Sequence, residues 1–386
     1  MNIFYYSGAK LPSQEPQSVH VMKMAQAFSK AGHNVTLFAR NALNATTDDI
    51  FNIYDIDTPF KINMSSNAGF PILSGARYLI GLPERAQQNS QPDIIYGHDV
   101  VALALYAKRA LSVIFEVHDM PQHPAHKLAF SKLLKQDNLR GIIAVSDILK
   151  QALLNAYPEI PPERVFVAHD GADLIDHIKS NTRTLNTLKS GKDAFNVGYA
   201  GSLHPGKGMA LISRIAKIRP QYDFHILGGT TKQVQHFQTL NKYKNIHFYG
   251  HRDHAEVPSY LKSFDICVAP YQHRALIKTG RNTSRWISPM KIFEYMAAER
   301  PIICSNLPVI HEILQHKHNA ILPPASDEHK WADAMDVLRE NPDIGNHLAK
   351  NAHDSLKDKY TWDKRAQAIM DFCINHRQTL YFADAS

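Results

Sequence analysis

The chain has 386 residues and a mass of 43.6 kDa, a length that suggests two domains. Hydrophobic residues make up 44% and charged residues 20%, which excludes disorder, and no apolar run reaches the roughly 18–20 residues of a membrane span. The formal charge of +7 lies wholly in the second half: residues 1–170 carry 15 basic and 15 acidic side chains, residues 171–386 carry 28 and 21.

The apolar pattern alternates short β-branched runs with helical stretches. Asn2–Tyr6 reads as a strand, Ser18–Ala31 as a helix ended by Gly32-His33, and Val35–Ala39 as the next strand. Strand-like runs follow at Asp93–Tyr96, Val113–Val117, Gly141–Val145 and Val165–Ala168, with helices at Val100–Lys108 and Asp147–Ala156. A polar stretch without periodicity, Gly171–Asp193, reads as a linker. The rhythm then restarts, with strands at Asn196–Ala200, Phe224–Leu227, His247–Tyr249, Ile266–Ala269, Ile302–Cys304 and Ala320–Leu322. Helices are expected at Met209–Ile218, Ala255–Phe264, Met290–Ala298, Val309–Leu314 and His329–Arg339, and Trp362–His376 has helical spacing.

Strand followed by helix, repeated, predicts parallel sheets covered on both faces. The expected architecture is therefore α/β: two doubly wound, Rossmann-like domains facing a cleft. The boundaries fall at 1–170 and 171–360, with a tail of 361–386 crossing back to the first domain. Ligands in such sheets bind beyond the carboxyl ends of the strands.

The basic excess is diffuse, with no run of five like charges, which favours a small phosphorylated ligand over nucleic acid. A solvated basic surface is the competing reading. Residues Met1–Gly8 carry neither a basic nor a sustained apolar segment, so a signal peptide is not expected. Cys267, Cys304 and Cys373 form no disulfide framework or zinc pattern, consistent with a reduced cytoplasm.

Two stretches carry chemistry. In Ser288-Pro-Met-Lys-Ile-Phe-Glu-Tyr-Met-Ala-Ala298, Ser288 suits an N-cap and Pro289 the first helical position, so Met290 and Lys291 would offer first-turn amides to an anion. Upstream Lys278, Arg281 and Arg285 add positive charge, and Glu294 could accept from a ribose diol. An ordinary capped helix is the competing reading. In Tyr199-Ala-Gly-Ser-Leu-His-Pro-Gly-Lys-Gly208, the glycines allow close backbone approach and Lys207 can meet a phosphate. Its spacing is neither a Walker A loop nor G-x-G-x-x-G. His118-Asp119 ends the strand run Val113–Val117, which puts it at a strand carboxyl end as a candidate hydrogen-bonding group for a ligand, with His98-Asp99 as its competitor. No set of His, Cys and Asp has convincing metal spacing.

Together these pieces resemble the retaining GT-B glycosyltransferases of family four (glycosyl transferases group 1), over nearly the whole chain. Matching segments are Gly201–Gly208, Ser288–Ala297, Arg300–Ser305, Phe248–Gly250, Asp265–Pro270, His169–Asp173, Ser18–His20 and Glu116–Asp119. The resemblance implies a UDP-sugar donor, a hydroxyl acceptor on a glycan or lipid-linked surface polymer, no metal and no cofactor. Lys207 and the turn Ser288–Lys291 would hold the diphosphate, with Gly201 and Ser202 beside it. Glu294 would hold the ribose, and His251 and Arg252 would line the base pocket. Gly8 would sit under the phosphates after the first strand. His118 would be the active-site histidine, with His20 and Asp119 on the acceptor side. Two positions depart from the pattern. Ser202 stands where an arginine is common, for which Arg281 or Arg285 would compensate, and Trp286 stands where a second glutamate is common. The donor sugar is therefore open. A nucleotide-sugar epimerase and a non-catalytic sugar-nucleotide binder are the alternatives. The expected location is the cytoplasm, at the inner membrane face if an apolar patch in Phe70–Leu82 touches lipid rather than packing in a core.

Overall fold

The computed structural model describes residues 1–42, 45–65, 79, 91–175, 188, 194–274, 282 and 284–383, with side chains described to residue 374. The chain divides into two compact units, Met1–Asp170 with Trp362–Ser386, and Gly171–Thr361.

Unit 1 is built on seven parallel strands: β1 (Asn2–Leu11), β2 (Asn34–Asn41), β3 (Lys61–Ser65), β4 (Ile94–Gly97), β5 (Ser112–Val117), β6 (Leu139–Ala144) and β7 (Val165–Val167), in the order β3-β2-β1-β4-β5-β6-β7. The strand order reverses between β1 and β4, which makes their carboxyl ends the place for a ligand. Crossovers are carried by α1 (Pro16–Lys30), α2 (Thr47–Ile53), α3 (Val100–Tyr106), α4 (Pro124–Leu134) and α5 (Asp147–Ala156). Every residue of β4 and β5 is buried, Ser112 and Glu116 included, as expected of interior strands of a sheet covered on both faces.

Unit 2 has five parallel strands, β8 (Phe195–Ala200), β9 (Tyr222–Leu227), β10 (Ile246–Gly250), β11 (Ile266–Ala269) and β12 (Ile302–Cys304), in the order β10-β9-β8-β11-β12. Its reversal lies between β8 and β11. The helices are α6 (Met209–Ile218), α7 (Thr231–Leu240), α8 (Val257–Lys262), α9 (Met290–Ala297), α10 (Glu328–Glu340) and α11 (Pro342–Ser355). Trp331, fully buried, anchors α10 on the sheet, and its indole N–H donates to the carbonyl of Pro324 at 2.9 Å. The tail helix α12 (Trp362–Ala383) belongs to unit 1, where it packs on α1 and β6.

The structure differs from the sequence expectation in several places. β3 is an edge strand with one partner, and its sequence Lys-Ile-Asn-Met-Ser lacks the β-branched density of the interior strands. Residues 320–322 form only isolated bridges, Ile303 to Ile321 and His316 to Ala320, rather than a strand. The expected helix at Val309–Leu314 is a 3-10 turn, Pro308–Glu312. β1 runs on through Gly8 to Leu11, its register with β2 shifting between Tyr6 and Lys10, so Gly8 lies inside the strand and not after it. The described start of the expected linker joins unit 2, where Ala172 pairs with Thr361. The Phe70–Leu82 patch lies outside the described residues apart from Leu79.

Candidate active site

In unit 2 the switch point between β8 and β11 gathers two lysines. β8 ends at Ala200, whose amide donates to the Tyr295 hydroxyl at 2.9 Å, which ties α9 to the strand end. That tie brings Lys291, in the first turn of α9, under Gly201. The buried Lys291 Nζ lies 3.8 Å from the centre of the Tyr199 ring and 5.2 Å from that of Tyr271. Lys207 approaches from the loop between β8 and α6, with its Nζ 4.9 Å from the Tyr271 ring. Gln272 holds that loop by donating its amide to the Gly206 carbonyl at 3.0 Å.

Two ammonium groups thus share one aromatic ring, and among the described residues neither has a carboxylate within salt-bridge distance. Ring faces attract cations, but they do not neutralise them. Burial lowers the Lys207 pKa to about 8, and burial followed by repulsion from Lys207 holds Lys291 well below the ordinary lysine range. Two like charges, one buried and one half-buried, with no carboxylate at salt-bridge distance among the described residues, make a poor structural device and a good anion receptor. The uncapped first turn of α9 adds its amides and dipole: among the described residues no side chain caps it.

Glu294 follows Lys291 by one turn of α9 and is half-buried, its Oε1 3.4 Å from His254 Nε2. Gly250, with φ +72°, ends β10, and its carbonyl accepts from the Gly228 amide at 2.7 Å. This stitches the start of the His251–Arg252 segment to the strand ends around Gly201. Arg252 lies over the Tyr260 ring at 5.9 Å. Ser202 is half-buried, and its carbonyl accepts from the Tyr199 hydroxyl at 2.7 Å.

The structure therefore brings together Lys207, Gly201, Ser202, Met290, Lys291 and Glu294. One expectation is corrected. Ser288 does not cap α9: the helix starts one residue later, with Pro289 at the cap position. Arg285 is exposed, with its guanidinium 5.7 Å over the Trp286 ring. Arg281 and Lys278 lie outside the described residues. The cation beside Gly201 is the Lys291 side chain, for which only the amide was expected to act. Tyr199, Tyr271 and His254 were missed, since a tyrosine after a strand carries no sequence signal of a ring beneath an ammonium.

Gly201 has φ +146°, and a Cβ there would meet Lys291 Nζ at 2.6 Å. Gly201→Ala is expected to push the Lys291 ammonium aside and, because alanine is strained at this φ, to lower the unfolding temperature, while affinity for a diphosphate falls about tenfold or more, the value of one charge-assisted contact. Calorimetry with UDP and a thermal melt check both halves. An unchanged affinity would remove Lys291 from the receptor.

Unit 1 carries a second cluster at the ends of β5 and β7. Glu116, on β5, is fully buried, and its Oε1 accepts from His118 Nε2 at 2.7 Å and from Arg365 Nη2 at 2.8 Å. His20, on α1, sets Nε2 2.9 Å from the same oxygen and Nδ1 2.9 Å from Asp170 Oδ1. Desolvation alone would lower the His20 pKa, but Glu116 and Asp170 outweigh it and raise it to about 9. Burial likewise opposes ionisation of Glu116, and Arg365 with His20 more than offsets it, holding the carboxyl well below its usual range. The cluster is thus two carboxylates, an imidazolium and a guanidinium in balance.

His118 stands at its rim, with its side chain 32% exposed and its ring 4.7 Å from that of His20 and 5.6 Å from that of His98. His20, expected on the acceptor side, is 1% exposed and is occupied by Glu116 and Asp170, so it supports His118 from within. Asp119 is half-buried. The competing pair His98-Asp99 has local employment: His98 Nε2 meets Ser7 Oγ at 3.2 Å, and Asp99 caps α3 through the amides of Val101 and Ala102. Gly8, inside β1, accepts from Arg40 Nε through its carbonyl. His20, Glu116 and His118 form the one group among the described residues with metal-ligand geometry. A cation there would have to displace both the Arg365 contact and the His20 proton.

The sequence matches the model described as Glycosyltransferase Family 4 over residues 17–175 and that described as Glycosyl transferases group 1 over residues 194–341. The fold is shared with the Anabaena protein HepE, solved in complex with UDP-glucose, at a TM-score of 0.71 and 18% identity, covering 96% of this chain and 98% of that one. The chain belongs to the group 1 glycosyltransferases of the GT-B fold.

Among members of this group, a phosphatidyl-myo-inositol mannosyltransferase of Mycobacterium leprae (strain TN) is 22% identical over 365 residues, 91% of this chain and 90% of that relative. TuaH of Bacillus subtilis (strain 168), a glycosyltransferase named for teichuronic acid biosynthesis, is 25% identical over 147 residues. That match spans 38% of this chain and about a third (35%) of TuaH. No described helix is long and apolar enough to cross a membrane.

Proposed function

We propose that the protein transfers a sugar, with retention and without a metal, from a nucleotide diphosphate sugar to a hydroxyl of a glycan or lipid-linked acceptor. The observation that carries this reading is the pair Lys207 and Lys291 at the switch point of unit 2, two cations that share one tyrosine ring and have no carboxylate within salt-bridge distance among the described residues. A departing nucleoside diphosphate gains negative charge as the glycosidic bond breaks. Two preplaced ammonium groups and the first-turn amides of α9 stabilise that charge more in the transition state than before it. Lys207, Lys291 and the turn from Ser288 to Met290 therefore serve as the leaving-group site.

UDP is the preferred nucleotide, a choice supported by the UDP-glucose complex of HepE. Glu294 accepts from the ribose diol, and His251 and Arg252 flank the base. His118 receives a hydroxyl of the transferred sugar or of the acceptor. Retention follows from same-face attack of the acceptor hydroxyl through an oxocarbenium-like state. Acceptors of the surface-polymer class are supported by the relatives named for mannosyl transfer to a phosphatidylinositol and for teichuronic acid synthesis. Action at the inner face of the membrane belongs to the same reading.

Glu294→Gln is expected to raise KM for the UDP-sugar about ten- to a hundredfold with kcat nearly unchanged, because the ribose contact is equal in ground and transition states. Steady-state kinetics with a panel of UDP- and GDP-sugars reads this. Equal KM in both enzymes would remove Glu294 from the donor, and no transfer from any nucleotide sugar would overturn the function.

A further inference from the structure

We propose that Arg365, in the first turn of α12, is a positioning residue for His118 and acts through Glu116 to fix which ring nitrogen carries the proton. The proposal rests on the functional reading only for the catalytic place of His118; its geometry stands apart from that reading.

Glu116 and His118 are two residues apart at the end of β5, so the alternation of a strand puts both side chains on one face. Glu116 is ionised, and a carboxylate only accepts. The contact at 2.7 Å therefore requires the proton on His118 Nε2. In the neutral ring Nδ1 is then left with a lone pair, and the rim position of His118 makes it available to a substrate O–H. With the other tautomer the ring would present a donor and could not receive a hydroxyl proton.

What keeps Glu116 in place is Arg365. Its guanidinium is itself fixed: Nε donates to the His169 carbonyl at 2.8 Å and Nη2 to the Ala168 carbonyl at 3.2 Å, just beyond β7. Nη2 then reaches Glu116 Oε1 at 2.8 Å. The other charged or titratable groups facing the pair among the described residues include His20 from α1, Tyr5 from β1, Asp170 beyond β7 and His98 beyond β4. His20 is itself fixed by Asp170 and by the Trp362 ring of α12, 5.3 Å away. The tail helix thus holds the histidine from two directions, through Arg365 and through Trp362.

Nitrogen-15 histidine spectra of the whole chain, with the His118 signals assigned by their loss in His118→Asn, test the idea without any substrate. The wild-type chain is expected to show the Nε2–H tautomer alone. Arg365→Lys keeps the charge and should keep that pattern. Arg365→Gln should give a mixture of forms and a kcat lower by about ten- to a hundredfold at unchanged donor KM, the rate equivalent of one charge-assisted hydrogen bond. An Nδ1–H or mixed pattern in the wild-type chain would overturn the proposal, whether or not the variants fold. So would an Arg365→Gln chain with wild-type spectrum and kcat. Failure of all turnover beside a pure Nε2–H pattern would count against the functional reading and leave this one standing.

Discussion

Lys291→Met is expected to lower kcat/KM for the nucleotide sugar by about a hundred- to a thousandfold, the loss that follows removal of one preorganised charge stabiliser. It is also expected to leave the protein at least as resistant to heat as the wild type. The two effects come from one cause. A lysine whose folded pKa is depressed binds its proton less well folded than unfolded, so its burial costs stability at every pH below the unfolded value near 10.4. Met keeps the apolar stem packed against Tyr199 and removes the stranded charge. A variant both inactive and destabilised would mean that Lys291 serves packing rather than the donor. Lys207→Met should behave alike with a smaller gain in heat resistance, since Lys207 is only half-buried.

Arg365→Ala is expected to cost about 3–5 kcal/mol of unit 1 stability, because it leaves the buried Glu116 carboxylate without its guanidinium. The same cluster gives that stability a pH window. His20 is raised from 6.5 to about 9, so its contribution is complete below about 6.5 and is lost as pH climbs through about 9. Glu116 and Asp170 are lowered, so their contribution is complete above the ordinary carboxylate range and is lost as pH falls below it toward their depressed values. In urea melts, the stability difference between the wild type and His20→Asn should be constant below about pH 6.5 and shrink as pH rises toward 9, since the depressed His98, His225, Lys207 and Lys291 are common to both chains. A difference that stays constant from pH 6.5 to 9 would contradict this.

Much of this was legible in the sequence, for identifiable reasons. Interior strands such as Ile266–Ala269 announce themselves because a strand covered on both faces is apolar along its length, and Val113–Val117 does so although Glu116 interrupts it. The helix α7 does not, because none of its residues is fully buried and only a short stripe, Val234 and Phe237, leans on the core. Lys207 stood out by its flanking glycines, and Glu294 by its place on a helix entered through Pro289. The supports were invisible because they are distant in the chain: Arg365 reaches Glu116 across 249 positions, and His20 reaches Asp170 across 150. The buried side chain of Lys291 was also hidden, since it follows from the Tyr295 hydroxyl holding α9 against the end of β8.

The direct test of the lysine receptor is a calorimetric comparison of uridine, UMP and UDP on the wild-type chain and on Lys291→Met. UDP should bind the wild type far more tightly than UMP or uridine does, and most of that advantage should vanish in the variant while uridine binding is unchanged. An advantage of UDP over uridine that is equal in both proteins would mean that the diphosphate is held elsewhere.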